Sequence, residues 1–151
     1  MDFSVKSGNP EKQRTACLVL GVYETRRLTP AAEQFDSARG GYLGNLLRRG
    51  DLDGKPGQSL LLLAPPDAAC ERVLLIGCGR ERELDDRRFC KIAAHLAAEL
   101  NDTGAADAAL YLTELAVKGR DLNWKIRQLV EAVEAARYHF DQLKSCLLYT
   151  S

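Results

Sequence analysis

The sequence predicts a three-layer α/β domain, in which helices cover both faces of a mixed, mostly parallel β-sheet. Three observations support this class. Short apolar strands alternate with amphipathic helices along the chain. The strand segments are almost continuously apolar, as is typical of strands that are covered on both faces. The chain has 151 residues, which is the size of one domain.

The N-terminal part is predicted to hold two strands and a helix. Residues 2–6 alternate polar and apolar side chains, which favours a half-buried strand, and residues 16–22 form a short apolar strand. Thr29 followed by Pro30 is typical of an N-cap with proline at the first helical position. We expect this helix to continue through residue 38.

The middle of the chain is predicted to form a short helix and a β-hairpin. The helix covers residues 42–49 and ends at Gly50. Two apolar strands follow at residues 59–63 and 72–77. Their short connection favours antiparallel pairing, so we expect a mixed sheet.

The C-terminal part is predicted to hold a strand between two long helices. A helix over residues 85–100 carries an apolar stripe formed by Phe89, Ala93, Leu96, Ala97 and Leu100. A strand is expected at residues 108–112 and a last helix at residues 122–140.

Composition excludes several classes of protein. Lys and Arg number 21 and Asp and Glu number 21, and hydrophobic residues make up 46%. These values exclude a disordered tail and a strongly basic nucleic-acid wrapper.

The five cysteines form no C-x-x-C motif, so we expect free thiols in a reducing compartment. Without a secretory signal or a membrane-length apolar segment, a cytoplasmic protein with no membrane partner is expected.

A glycine turn, Ile76-Gly-Cys-Gly79, lies between a predicted strand and a predicted helix. This placement resembles a dinucleotide-binding loop. However, Arg82 stands where a third glycine would be, and the acidic residues that follow would repel a pyrophosphate. The favoured interpretation is a turn that needs a positive φ, followed by acids at a helix N-terminus.

No catalytic, cofactor-binding or metal-binding residue can be assigned from the sequence. His95 and His139 lie on different predicted helices, and Cys90 is about 140° from His95 on a helix. Basic residues are the remaining candidates, because such groups can contact phosphates. The candidate nucleic-acid residues are Arg26, Arg27, Arg48, Arg49, Lys118, Arg120, Lys125 and Arg127. An ordinary solvated surface is the alternative interpretation.

Several segments resemble the N-terminal domain of bacterial leucyl aminopeptidase, in the aminopeptidase A branch of the cytosol aminopeptidase (M17) family. The matching segments are residues 1–8, 10–14, 46–50, 54–58, 73–79, 81–85, 112–115, 117–120 and 140–144. The resemblance implies a macro-domain-like fold for residues 1–144. Residues 145–151 match nothing in the family and are expected to be foreign sequence or disordered.

The resemblance also implies a parent enzyme. Such enzymes are two-domain homo-hexamers that release N-terminal amino acids such as leucine, with two divalent metal ions (Zn or Mn) in the C-terminal domain. Some bacterial members also bind DNA. The catalytic signature Asn-Thr-Asp-Ala-Glu-Gly-Arg-Leu is absent from this sequence, so no catalytic residue carries over.

The expected function is therefore that of a non-catalytic domain of a metallo-aminopeptidase. Its expected partners are its own catalytic domain, the other subunits of a hexamer and DNA. One alternative is a stand-alone macro-type module that binds a nucleotide or ADP-ribose, supported only by the glycine turn. Another is an independent DNA-binding domain, which the zero net charge disfavours.

Overall fold

The computed structural model describes the backbone of residues 3–5 and 8–150 and the side chains of these residues up to 137. The strands are β1 (Cys17–Tyr23), β2 (Arg27–Leu28), β3 (Ser59–Leu63), β4 (Arg72–Gly79) and β5 (Ala108–Leu110). The helices are α1 (Pro30–Ala38), α2 (Tyr42–Arg48), α3 (Asp86–Thr103) and α4 (Leu122–Thr150), with 3-10 turns at Pro10–Lys12 and Glu81–Glu83.

The strands form one mixed sheet in the order β2-β1-β4-β3, and β5 pairs with the first half of β1. β1 runs parallel to both β4 and β5, while β2 and β3 are antiparallel to their neighbours. The predicted mixed sheet and the predicted hairpin, formed by β3 and β4, are therefore confirmed.

Helices cover both faces of the sheet, as the apolar strands predict. Because successive strand side chains point to opposite faces, Leu18 and Leu20 of β1 pack towards α1 and α2, whereas Cys17 and Val19 pack towards α3 and α4. All seven residues of β1 are buried. The largest core side chains include Phe35 on α1 and Phe89 on α3, one for each face of the sheet.

Several boundaries differ from the predictions, among them that of β5, which ends at Leu110 rather than at residue 112. Residues 3–5 belong to no strand, and residues 2 and 6 of that predicted strand lie outside the described residues. α3 continues to Thr103, because the left-handed conformation that ends it is adopted by Gly104, with φ of 68°. α4 continues to Thr150 rather than ending at residue 140. The two-residue strand β2 was not predicted, because it is too short to carry an alternation signal.

The N-terminus of α2 is capped by a side chain from α1. Its N-cap, Gly41, has no side chain, and the carboxylate of Asp36 instead accepts hydrogen bonds from the backbone N–H groups of Leu43 and Gly44, at 2.6 and 3.1 Å. Asp36 is buried, so these bonds also satisfy the hydrogen-bonding needs of its carboxylate.

Among the residues that the structure describes, no helix is long and apolar enough to cross a bilayer.

Candidate functional site

The carboxyl end of β1 and β4 is the place where open α/β sheets usually bind ligands. Here the loop of residues 51–58 lies against it. The backbone N–H of Gly79 donates to the carbonyl of Gly54, and that of Gly77 donates to the carbonyl of Gln58, both at 2.8 Å. The carbonyl of Gly79 in turn accepts from the N–H of Glu24 at 2.9 Å. The N–H groups of both glycines in the turn are therefore already hydrogen-bonded to carbonyls of this loop.

The two glycines of this turn are needed for the close approach of the loop. A Cβ atom at Gly77 would lie 2.1 Å from the carbonyl oxygen of Lys55. Gly79 has a φ of 73°, and a Cβ there would lie 3.0 Å from the ring of Pro56. The predicted turn with positive φ is confirmed at Gly79. The N–H groups of Gly77 and Gly79 are not available to a phosphate, so this turn does not form the dinucleotide loop weighed as its alternative.

A second anion-binding position, the N-terminus of α1, is also filled from within the chain. Both carboxylate oxygens of Glu114 accept from the backbone N–H of Ala31, each at 3.1 Å. The helix dipole favours this negative charge. The two residues are 83 positions apart, and no local pattern in the sequence indicates such a contact, so Glu114 was missed.

The first group of predicted nucleic-acid residues begins in the turn between β1 and β2. Arg26 forms an ion pair with Asp53, with its Nε 3.1 Å from the carboxylate. Arg27 pairs with Glu81, and its guanidinium lies over the ring of Tyr23, 4.9 Å from the ring centre. Acidic neighbours therefore neutralise both arginines.

Arg48 and Arg49 complete this group. Both are exposed at the end of α2, and the guanidinium of Arg26 lies beside the next residue, Gly50. The structure thus brings Arg26 close to the end of the second arginine pair, which the sequence separates from it by about twenty positions.

The second group surrounds the start of α4. Arg120 forms an ion pair with Asp86 at 3.0 Å and lies over the Trp124 ring, 4.9 Å from its centre. This contact with Arg120, together with the Arg87 backbone N–H, lowers the pKa of Asp86. The ammonium of Lys125 donates to the carbonyl of Leu115 at 2.9 Å.

A surface depression of about 440 Å³ adjoins this second group, and its polar lining includes Arg120 and Arg127. Lys118 lies beside the start of α3, where its backbone N–H reaches the carbonyl of Leu84 at 3.4 Å. Lys118 itself is exposed. Cationic side chains from the loop before α4 and from α4 itself therefore surround this surface depression.

Residues 81–86 connect the two basic groups, because Glu81 pairs with Arg27 and Asp86 pairs with Arg120. These pairs reduce the positive charge of both groups. Within the described part of the chain, five candidates have no carboxylate within ion-pair distance, namely Arg48, Arg49, Lys118, Lys125 and Arg127.

The described His, Cys, Asp and Glu side chains do not cluster as metal ligands would. No group of three or more His, Cys, Asp or Glu side chains is placed to hold a metal ion among the described residues. Cys90 donates to the Gln128 side chain at 3.4 Å, and His95 lies 3.5 Å from Glu99. The side chain of His139 lies outside the described residues. The described side chains therefore do not fit the two-metal centre that the family resemblance implies.

The cysteines described by the structure are free thiols, as predicted. Cys17, Cys70 and Cys78 are buried and Cys90 is exposed. Burial raises the pKa of Cys78 to about 12, so its thiol stays protonated and packs as a small apolar group.

The fold is that of an α/β domain similar to macrodomains. The macrodomain of Mycobacterium tuberculosis DarG superimposes with a TM-score of 0.67 at 15% identity, over 86% of this chain and 88% of that one. A tomato leucine aminopeptidase mutant superimposes with a TM-score of 0.58 at 20% identity, over 80% of this chain and 26% of that one.

The chain belongs to the cytosol aminopeptidase family, whose N-terminal domain model matches residues 19–146. Probable cytosol aminopeptidases from Shewanella denitrificans and Aeromonas salmonicida are each 59% identical to it over 145 residues. This alignment covers 96% of the chain and 29% of each relative. The predicted family and the macro-like fold are confirmed.

Proposed function

We propose that this chain is the non-catalytic N-terminal domain of a cytoplasmic metallo-aminopeptidase that releases N-terminal amino acids such as leucine. The observation that carries this proposal is the high identity along almost the whole chain to relatives of which it spans only 29%. Most of each relative therefore lies beyond the matched region, and we assign the peptidase chemistry to that remainder. The two divalent ions would be held there, where clustered carboxylates can bind them.

We propose that the domain acts in assembly. Its partners would be its own catalytic domain and the other subunits of a homo-hexamer. The fold suits this role because buried apolar clusters cover both faces of the sheet, so the domain can present fixed surfaces to its neighbours.

A chimaera tests this role. Residues 1–144 of this chain would replace the corresponding part of the Shewanella denitrificans relative, and a second variant of that relative would lack the region altogether. The chimaera is expected to form hexamers and hydrolyse leucine p-nitroanilide, while the deletion variant loses hexamer formation. A deletion variant that assembles normally would refute the assembly role.

We further propose DNA contact through the two basic groups. Support comes from the five cations without a carboxylate partner in the described residues, Arg48, Arg49, Lys118, Lys125 and Arg127, because such cations release counterions from phosphates. One domain offers few such groups, and a hexamer would present several weak surfaces at once. Binding by the isolated chain should therefore be weak.

The alternative, a stand-alone nucleotide or ADP-ribose module, rests on the macrodomain-like fold alone. The Gly77 and Gly79 N–H groups already donate to the chain itself, and Glu114 already occupies the α1 N-terminus. We therefore expect titration calorimetry with ADP-ribose to show no binding heat at high micromolar concentration. A saturable heat would favour the alternative.

A further inference from the structure

We draw no further inference here: the strongest candidate, the surface depression of about 980 Å³ at the amino end of the sheet, carries both cations and carboxylates in its lining, its Arg39 and Arg72 already donate to the terminal carbonyls of α1 and α3, and nothing in the structure shows which ligand or partner would occupy it.

Discussion

The carboxylate of Glu114 accepts the backbone N–H of Ala31 through both of its oxygens, each at 3.1 Å. The contact joins the segment after β5 to the start of α1. Thr29, the N-cap residue of this helix, makes no side-chain capping bond. Glu114 therefore supplies the cap that the sequence assigns to Thr29, and it fills the position where an anionic ligand would bind.

Removing this cap should destabilise the domain. Glu114→Ala is expected to lower the free energy of unfolding by about 1 kcal/mol, and Glu114→Gln by less, because glutamine keeps one acceptor oxygen. Urea unfolding measures both. Glu134→Ala, at an exposed position on α4, is the control. Equal stability of the two alanine variants would show that the Glu114 contact contributes nothing.

The close approach of the 51–58 loop to β1 can be tested with two glycines. Gly54 and Gly57 have φ values of 90° and 86°, so alanine at either position has a strained backbone. Only at Gly54 would the Cβ also collide, 2.1 Å from the Tyr23 carbonyl oxygen, whereas nothing lies within 4 Å at Gly57.

Gly57→Ala should therefore cost about 1 kcal/mol, and Gly54→Ala at least about 2 kcal/mol more. Urea unfolding of the two variants gives this difference directly. Variants of equal stability would mean that the loop does not pack against the end of β1 in solution.

Asp107 anchors β5 to the start of β1 and predicts a dependence of stability on pH. The Ala16 N–H at 2.7 Å and the Thr15 hydroxyl at 2.9 Å both donate to its carboxylate and lower its pKa. A lowered pKa in the folded state stabilises the domain above the unfolded pKa, near 3.9, and this contribution is lost as the pH falls through the folded value.

The wild type should consequently be more stable than Asp107→Asn at neutral pH, and the difference should shrink below about pH 4. Chemical unfolding at a series of pH values measures this. Asp102→Asn, an exposed residue of α3, serves as the control. A difference that stays constant with pH would contradict the assignment.

DNA binding by the isolated chain should be weak and sensitive to salt. Combining Arg48→Ala with Arg49→Ala should reduce the slope of log K against log salt by about 1.8, since each phosphate contact contributes about 0.9. Filter binding to a duplex measures the slope, with Lys91→Ala as the control on α3. Binding that persists unchanged at high salt would refute the proposed interface.

Periodicity predicts the layered fold well because the core elements carry strong signals. The apolar run of β1 and the stripe on α3 that includes Phe89 correspond to the buried elements of the structure. The antiparallel hairpin of β3 and β4 follows from their short connection. β2 has only two residues, so its pairing depends on tertiary contacts that the local sequence does not encode. The end of α4 carries only a weak stop signal, so the sequence does not predict it.

The site could be predicted only in part. Sequence composition identifies the basic residues, but it cannot show that Asp53, Glu81 and Asp86 pair with three of them. The turn at Gly79 was predicted from its position between a strand and a helix. The 51–58 loop accepts hydrogen bonds from the N–H groups of this turn. That contact depends on long-range packing and cannot be inferred from residue spacing.

The most direct measurement for the central claim is hydrolysis of leucine p-nitroanilide by the purified 151-residue chain in the presence of manganese. A domain whose peptidase chemistry lies in the remainder of its relatives should show no turnover above the buffer rate. Turnover at the rate of a full-length family member would contradict the account, because these residues would then hold a complete catalytic centre.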